Sequence, residues 1–317
     1  MRFSILGAGA MGSLFGGLLA EAGHAVQLID TNSAHVSAVQ RQGLSLTTSD
    51  HGTRQISSVD ACLPEEAVAA RTFAECLIVF TKTVDSRAAL AAVRPIIGPD
   101  TFGLSLQNGL GNLETLHSFF TQDRCLIGVT SWPAELIEPG SVRSQGTGSI
   151  ELQVATHGHT HSSVAESVAS SFNDAGLRCA PVDDLWTTLW EKLAFNAALN
   201  SVCAATGSPV GRLGLVPNAI ALTHHIVKEV CSVAAASGVA VNEMRCLSKI
   251  SAAIADHPTV IPSTLQDLLA HRPTEIGSIN GAVVAEAEKY GVPVPCTKTV
   301  LTMVQLIEQR QQAVATP

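Results

Sequence analysis

The sequence predicts an α/β chain in two domains, a sheet domain over residues 1–182 followed by an all-α domain over residues 183–317. Three observations carry this. Short apolar runs alternate with helical patterns as far as Val182, the rhythm of strand–helix–strand units. From Asp183 onward no convincing strand remains, and Ala- and Leu-rich helical segments punctuated by Gly and Pro take over. A glycine-rich turn joins the first strand to the first helix.

Phe3-Ser4-Ile5-Leu6 reads as a buried strand and runs into Gly7-Ala8-Gly9-Ala10-Met11-Gly12. Leu14, Leu18, Leu19 and Ala22 give a helical pattern that Gly23 and His24 end. Ala25–Ile29 is a second strand, closed by Asp30. Strand, G-x-G-x-x-G, helix, strand, acid is the signature of a Rossmann-type dinucleotide-binding domain. Gly7 allows the tight turn, Gly9 lets the backbone approach a pyrophosphate, and Gly12 lets the helix lie close to the sheet. The helix N-terminus offers free N–H groups and partial positive charge to the phosphates. Asp30 lies 18 residues past Gly12, where a carboxylate accepts hydrogen bonds from the adenosine ribose. It repels a 2′-phosphate, and Thr31, Asn32 and Ser33 follow it, with Arg41 the nearest cation and well into the next helical pattern. NAD(H) is therefore favoured over NADP(H). The run from Arg2 to Ala20 also has the look of a short secretion signal, but its spaced glycines are explained by the fingerprint.

Residues 43–64 alternate Leu44, Leu46, Ile56 and Val59 among Thr, Ser and Asp, a short β excursion. Cys76–Phe80 is another buried strand, and Lys82 sits just past its C-terminal end. Ligands of open α/β sheets lie beyond such ends, so Lys82 is placed to meet a phosphate, ribose or carboxylate, or else is an ordinary solvated lysine. A helix over Ser86–Val93 leads to the strand Thr101–Leu106, which runs into Gln107-Asn108-Gly109-Leu110-Gly111. An Asn-Gly pair often marks a plain turn. Here a helical pattern through Leu113, Leu116, Phe119 and Phe120 follows, making a crossover that brings Asn108 within reach of nicotinamide or substrate. Arg124–Ser131 and Ser149–Ala155 are further strands, Pro139-Gly140-Ser141-Val142 turns into another, Ala165–Asn173 is helical, and Leu177–Val182 is the last strand.

The second domain opens on Trp190–Asn200, free of Gly and Pro. Lys192, Asn196 and Asn200 recur every four residues, so on an α-helix they form one polar stripe among Leu189, Leu193, Ala194, Phe195, Ala197, Ala198 and Leu199. Such a stripe is either a solvated face or a site wall: an amine that exchanges a proton beside two amides that orient a polar substrate. Further helices are predicted at about Pro217–Ser237, Asn242–Asp256, Thr264–Ala270, Glu275–Tyr290 and Cys296–Gln311. Ser263 is a plausible N-cap, and Glu275 a plausible first-turn acid.

Composition narrows the classes of partner. Net charge is −8 with no dense Lys/Arg block, which argues against nucleic acid and anionic membrane as partners. No uninterrupted apolar run reaches the ~18 residues that span a bilayer. The eight cysteines are scattered, with neither Cys-x-x-Cys pairs nor Cys/His ligand spacing, as expected of free thiols in a reducing cytoplasm. The histidines have no metal spacing, and no metal site is predicted.

These residues together resemble the ketopantoate reductase family, the 2-dehydropantoate 2-reductases. The matching pieces are Gly7–Gly12, Lys82, Gln107-Asn108-Gly109-x-Gly111, Lys192-x-x-x-Asn196-x-x-x-Asn200, and Ser263 with Thr274-Glu275-Ile276-x-x-Ile279-Asn280-Gly281, spread over almost the whole chain in family order. The resemblance implies NAD(P)H-dependent reduction of a small 2-oxo acid, ketopantoate first, with Lys192 as general acid. It implies substrate contacts from Asn108, Asn196, Asn200 and Ser263. It implies cofactor contacts from the loop Gly7, Ala8, Gly9, Ala10, Met11 and Gly12 and from Asp30, Lys82, Asn108, Ala134 and Glu275, the last bridging the two domains. The chain departs from the family in two places. NADP-using members, the family default, commonly carry Arg just after the second strand, where this chain has Asp30-Thr31. Some members have a further Asn after the motif helix, where this chain reads Gly207-Ser208-Pro209-Val210. A member acting on another branched or aromatic 2-oxo acid would carry these features, and a catalytically silent dinucleotide-binding sensor is the alternative of another class. The expected state is a cytoplasmic monomer or homodimer.

Overall fold

The structure is a computed structural model and describes residues 1–155 and 163–315. It divides into two compact units. One comprises Met1–Gln107 with Asn112–Leu185, the other Asn108–Gly111 with the chain from Trp186 onward. The sequence reading ends the first domain at residue 182 and leaves residues 108–111 inside it.

In the first unit the elements run β1 (Arg2–Leu6), α1 (Ala10–Glu21), β2 (Ala25–Ile29), α2 (Ser33–Gln42), β3 (Leu44–Thr48), β4 (Gly52–Ile56), β5 (Val59–Cys62), α3 (Pro64–Ala70), β6 (Cys76–Val79), α4 (Thr83–Ala92), β7 (Phe102–Ser105), α5 (Asn112–His117), β8 (Cys125–Thr130), β9 (Glu135–Glu138), β10 (Ser141–Ser144), β11 (Ile150–Val154), α6 (Ser163–Asp174) and β12 (Cys179–Pro181). The main sheet has the order β12-β11-β8-β7-β6-β1-β2-β5. It is parallel throughout except where β11 runs against β8. β1 pairs with β2 on one side and β6 on the other, so the chain reverses its direction of sheet growth there. That reversal is the topological switch point of a doubly wound sheet, and the loops after β1 and β6 both open onto it.

The two-residue period of the strands divides their side chains between two cores. Phe3 and Ile5 join Leu14, Phe15 and Phe172 on one face. Leu6 and Ile29 join Leu77, Leu90 and Val93 on the other. The β excursion is split between two sheets. β5 becomes the edge of the main sheet, while β3 and β4 form a second sheet, β4-β3-β10-β9, whose Leu44, Leu46 and Val142 enter the first core. In this unit β9 and α3 have no counterpart in the sequence reading. β9 is an edge strand with no buried residue, so it carries no apolar alternation to detect. α3 is announced by Pro64 at its first turn and by Glu66, whose carboxylate accepts from the Leu63 N–H at 2.8 Å, a start signal that passed for the end of the excursion.

The second unit runs α7 (Leu185–Phe195), a π-helical turn over Asn196–Asn200, α8 (Ser201–Thr206), α9 (Val210–Leu213), α10 (Pro217–Ala236), α11 (Glu243–Asp256), α12 (Ser263–Leu269), a second π turn over Gly277–Gly281, α13 (Ala282–Tyr290) and α14 (Pro295–Ala315). One core joins Trp190, Leu193, Ile226, Val230, Ile250, Ile279, Val283 and Val304. α10 is long and apolar enough to cross a membrane by length and composition alone. Here Ile226, Val227, Val230 and Val233 line the centre of the unit, against α11, α13 and α14. Glu229 on its flank accepts from the N–H groups of Cys296 and Thr297 at 2.9 and 2.8 Å, capping α14. The polar stripe therefore does not lie on uninterrupted α-helix. Its lower half is a π turn, closed by Ser201 N–H to the Asn196 carbonyl, and Gly281 N–H to Ile276 O at 2.9 Å closes the other. Isolated π turns are rare and concentrate at functional sites.

Candidate active site

The first unit carries the candidate cofactor residues around the switch point. Gly7 has φ +95°, and a Cβ there would lie 2.5 Å from the Thr81 nitrogen, so no other residue fits the turn. A Cβ on Gly12 would lie 2.0 Å from the Gly7 carbonyl oxygen, which is how closely α1 approaches the loop. Gly9 is different. Nothing lies within 4 Å of where its Cβ would be, so the backbone at the N-terminus of α1 faces open space. No side chain caps that helix end and no acid sits in its first turn. A pyrophosphate fits this cradle, with N–H groups and the helix dipole turned toward it.

The loop is held to its neighbours. Gly7 N–H donates to Ile29 O at 2.8 Å, and Phe80 N–H to Leu6 O at 2.8 Å. Asp30, half-buried, accepts from Asn32 N–H at 2.8 Å. Lys82 is half-buried and occupies the N-cap position of α4. Gln107 braces the segment before it: its Nε2 donates to Ser86 Oγ at 2.7 Å and also to the Thr81 carbonyl. Gln107 belongs to the recognised loop motif, yet sequence alone gave it no role. Ala134 is half-buried immediately before β9.

The second unit brings together the candidate substrate residues. Asn108 Nδ2 donates to Glu275 Oε2 at 3.1 Å. The partnership depends on the next residue. Gly109 has φ +85°, a Cβ there would fall 2.2 Å from Ser278 O, and Leu110 N–H donates to that same carbonyl at 3.0 Å. This nesting is why residues 108–111 belong with the helical unit. Lys192 is half-buried on α7. Desolvation pulls its ammonium down from 10.5 to about 8, while the Glu275 carboxylate pulls the other way. Asn108, Glu275 and Lys192 thus form one cluster. Glu275 lies two residues ahead of the second π turn, where it is not the first-turn acid of a regular helix.

Asn196 and Asn200 are both 8% exposed, and Asn200 Nδ2 donates to Asn196 Oδ1 at 3.0 Å. Pairing leaves Asn196 an amide donor and Asn200 a carbonyl acceptor for a ligand. Asn280, fully buried in the second π turn, donates to Ala197 O at 3.1 Å and to Ser201 Oγ at 3.3 Å, stitching the two π turns together. Ser263 departs from expectation. Pro262 is the N-cap of α12, and Ser263 is its first helical residue, exposed and without a capping hydrogen bond. Pro262 supplies the extended backbone that precedes the helix, so no side-chain cap is used. α12 itself packs against the Asn196–Asn200 turn.

The residue before Lys192 fixes its helix. Glu191 is 3% exposed, and its carboxylate accepts from Arg245 Nε at 2.6 Å, from Arg245 Nη2, and from Lys249 Nζ at 3.1 Å, tying α7 to α11. All eight cysteines are free thiols. Among the described residues no group of three His, Cys, Asp or Glu side chains is arranged to hold a metal.

Comparison with known proteins bears on the family and the fold. Residues 3–157 match the family model described as ketopantoate reductase PanE/ApbA, and residues 184–308 match its C-terminal companion. A 2-dehydropantoate 2-reductase of Streptococcus pyogenes serotype M1 is 30% identical over 97% of this chain and 98% of its own length. A PanE/ApbA family ketopantoate reductase from Ralstonia eutropha JMP134 is 32% identical, with a TM-score of 0.89 over 98% of this chain and 100% of its own. D-mandelate dehydrogenase, solved as a ternary complex with NADH and anilino(oxo)acetate, is 29% identical, with a TM-score of 0.92 over 98% of this chain and 100% of its own.

Proposed function

The chain belongs to the ketopantoate reductase family, and from that premise we propose that it reduces the 2-oxo group of ketopantoate to the hydroxyl of pantoate, a step of pantothenate biosynthesis. It is a nicotinamide-dependent oxidoreductase acting on a CH–OH group. The observation that carries the proposal is the Asn108–Glu275–Lys192 cluster, with the amine tuned to about 8. When bound, the nicotinamide supplies the hydride that reduces the 2-oxo carbon. Lys192, as the ammonium, gives its proton to the 2-oxo oxygen as negative charge builds there, and recovers it from solvent. A pKa near working pH suits that exchange.

The remaining roles belong to the same proposal. Glu275 opposes the desolvation that would otherwise strip the proton from Lys192, and contacts the nicotinamide ribose. Asn108 joins substrate to nicotinamide. The Asn196–Asn200 pair orients substrate hydroxyl or carbonyl groups, and Ser263 receives the carboxylate. Gly7 to Gly12 hold the pyrophosphate, with Lys82 and Ala134 beside the cofactor. Asp30 accepts from the adenosine ribose and makes NAD(H) the preferred carrier. Eight free thiols and the biosynthetic role are consistent with a cytoplasmic enzyme, monomeric or homodimeric.

A second reading is favoured by two observations. One is the likeness to an NADH-bound D-mandelate dehydrogenase. The other is Gly207, which ends α8 in the left-handed conformation where some family members carry a further asparagine. On that reading the substrate is an aromatic or branched 2-oxo acid. Steady-state assays of ketopantoate, phenylglyoxylate and aliphatic 2-oxo acids, each with NADH and NADPH, decide between them. The highest kcat/KM on ketopantoate supports the main proposal, and the highest on phenylglyoxylate replaces it. Cofactor binding with no turnover of any acid would leave the silent sensor.

A further inference from the structure

A buried histidine in the first unit has no role so far. His35 on α2 is 1% exposed, and Ser13 on α1 is fully buried. Gly140, in the turn between β9 and β10, donates its N–H to His35 Nδ1 at 3.0 Å. A backbone N–H can only donate, so Nδ1 carries no proton and the imidazole proton sits on Nε2. Nε2 lies 3.1 Å from Ser13 Oγ, and that contact must therefore run from Nε2–H to the hydroxyl oxygen. The Ser13 hydroxyl in turn donates to the Ala8 carbonyl at 2.7 Å. Every donor and acceptor in this chain is assigned by the one before it.

The same residue also reaches the acid after β2. His35 N–H donates to Asn32 Oδ1 at 3.2 Å, and Asn32 N–H donates to Asp30 Oδ1 at 2.8 Å. The turn at its other end is wedged in place: Gly140 O accepts from Ser45 N–H at 2.8 Å, and a Cβ on Gly140 would fall 2.9 Å from Ala38 Cβ. One imidazole thus connects the glycine loop at Ala8 with the hairpin that follows Ala134, while the main chain of the same residue reaches Asp30 through Asn32. Burial holds it below its usual pKa against the pull of Asp30, in keeping with a neutral ring.

We propose that His35 is a positioning residue for the dinucleotide site, setting the backbone of the Gly7–Gly12 loop through Ser13 and anchoring it to the β9–β10 turn through Gly140. The inference rests on the dinucleotide-binding part of the proposed function. Its test is direct titration of NADH and NADPH by fluorescence on the full chain and on Ser13→Ala, His35→Leu and the double variant. Losing one buried hydrogen bond corresponds to about a tenfold rise in Kd. Ser13→Ala should show that rise and His35→Leu at least as much. The double variant should bind no worse than His35→Leu alone, because both cut one relay. Ser13→Ala removes a single oxygen and keeps the test open should His35→Leu not fold. Nitrogen-15 spectra should show His35 neutral with its proton on Nε2. A Kd within twofold of the parent in both single variants, whatever their melting temperatures, overturns the assignment and leaves the reductase reading intact, as does a proton on Nδ1. No binding of either nucleotide by the unaltered chain overturns both.

Discussion

Lys192 is under two opposing demands. Its stem lies on a mostly apolar helix, and its charge resists burial there; Glu275 favours the ammonium while desolvation brings it to about 8. The sign of the pH effect follows. On the proposed mechanism the ammonium is the active form in the reducing direction, so kcat should hold level below pH 8 and fall as pH rises through about 8, and oxidation of the hydroxy acid should rise over the same window. Initial-rate profiles in both directions check this; a reduction rate that climbs above pH 8 would contradict it. Asp30 makes a separate prediction. Its carboxylate would face a 2′-phosphate, so Asp30→Ala should narrow the preference for NADH over NADPH by about tenfold in kcat/KM, the size of one lost charge contrast. An unaltered chain that already prefers NADPH would refute the role given to Asp30. At this scale much was legible, because Lys192, Asn196 and Asn200 stand at fixed spacing. Ser263 has the sequence signature of a cap, Ser before an apolar run, but the extended backbone of Pro262 takes the N-cap position and moves Ser263 into the first turn. His35 was invisible because its partners Ser13 and Gly140 are far apart in sequence.

The elements around Lys192 are held by polar contacts that no periodicity reveals. A π turn has the same apolar residues as an α-turn, so Asn196–Asn200 reads as regular helix until the Ala197 carbonyl is found bonded to Asn280. Gly277 and Gly281 bracket the second π turn, and they were the only local hint of it. One residue before Lys192 on α7, Glu191 is buried with a two-point hold from Arg245. The cations are half-exposed and rehydrate easily, whereas the carboxylate has no such recourse. Arg245→Ala should therefore destabilise the chain by roughly 1–3 kcal/mol. Urea unfolding measures it, and a midpoint shift indistinguishable from zero would mean Lys249 alone satisfies Glu191.

At the level of the whole chain, the dinucleotide-binding class of the first domain was legible because local signals agree. The glycine fingerprint, the second strand and Asp30 together require β1 beside β2, and the crossover to Cys76–Val79 puts Lys82 at the same end of the sheet. What the sequence could not reveal was the small second sheet, which joins β3 to β10 across almost a hundred residues, and the grouping of Asn108–Gly111 with the helices. Both rest on long-range backbone pairing rather than local pattern. The family assignment settles the class of reaction, and on the proposed mechanism the chemistry turns on one amine. Its most direct test is kcat for ketopantoate reduction by Lys192→Ala at saturating cofactor. A loss on the order of 10²-fold or more is expected for a general acid, and a kcat equal to that of the unaltered chain would remove Lys192 from the chemistry.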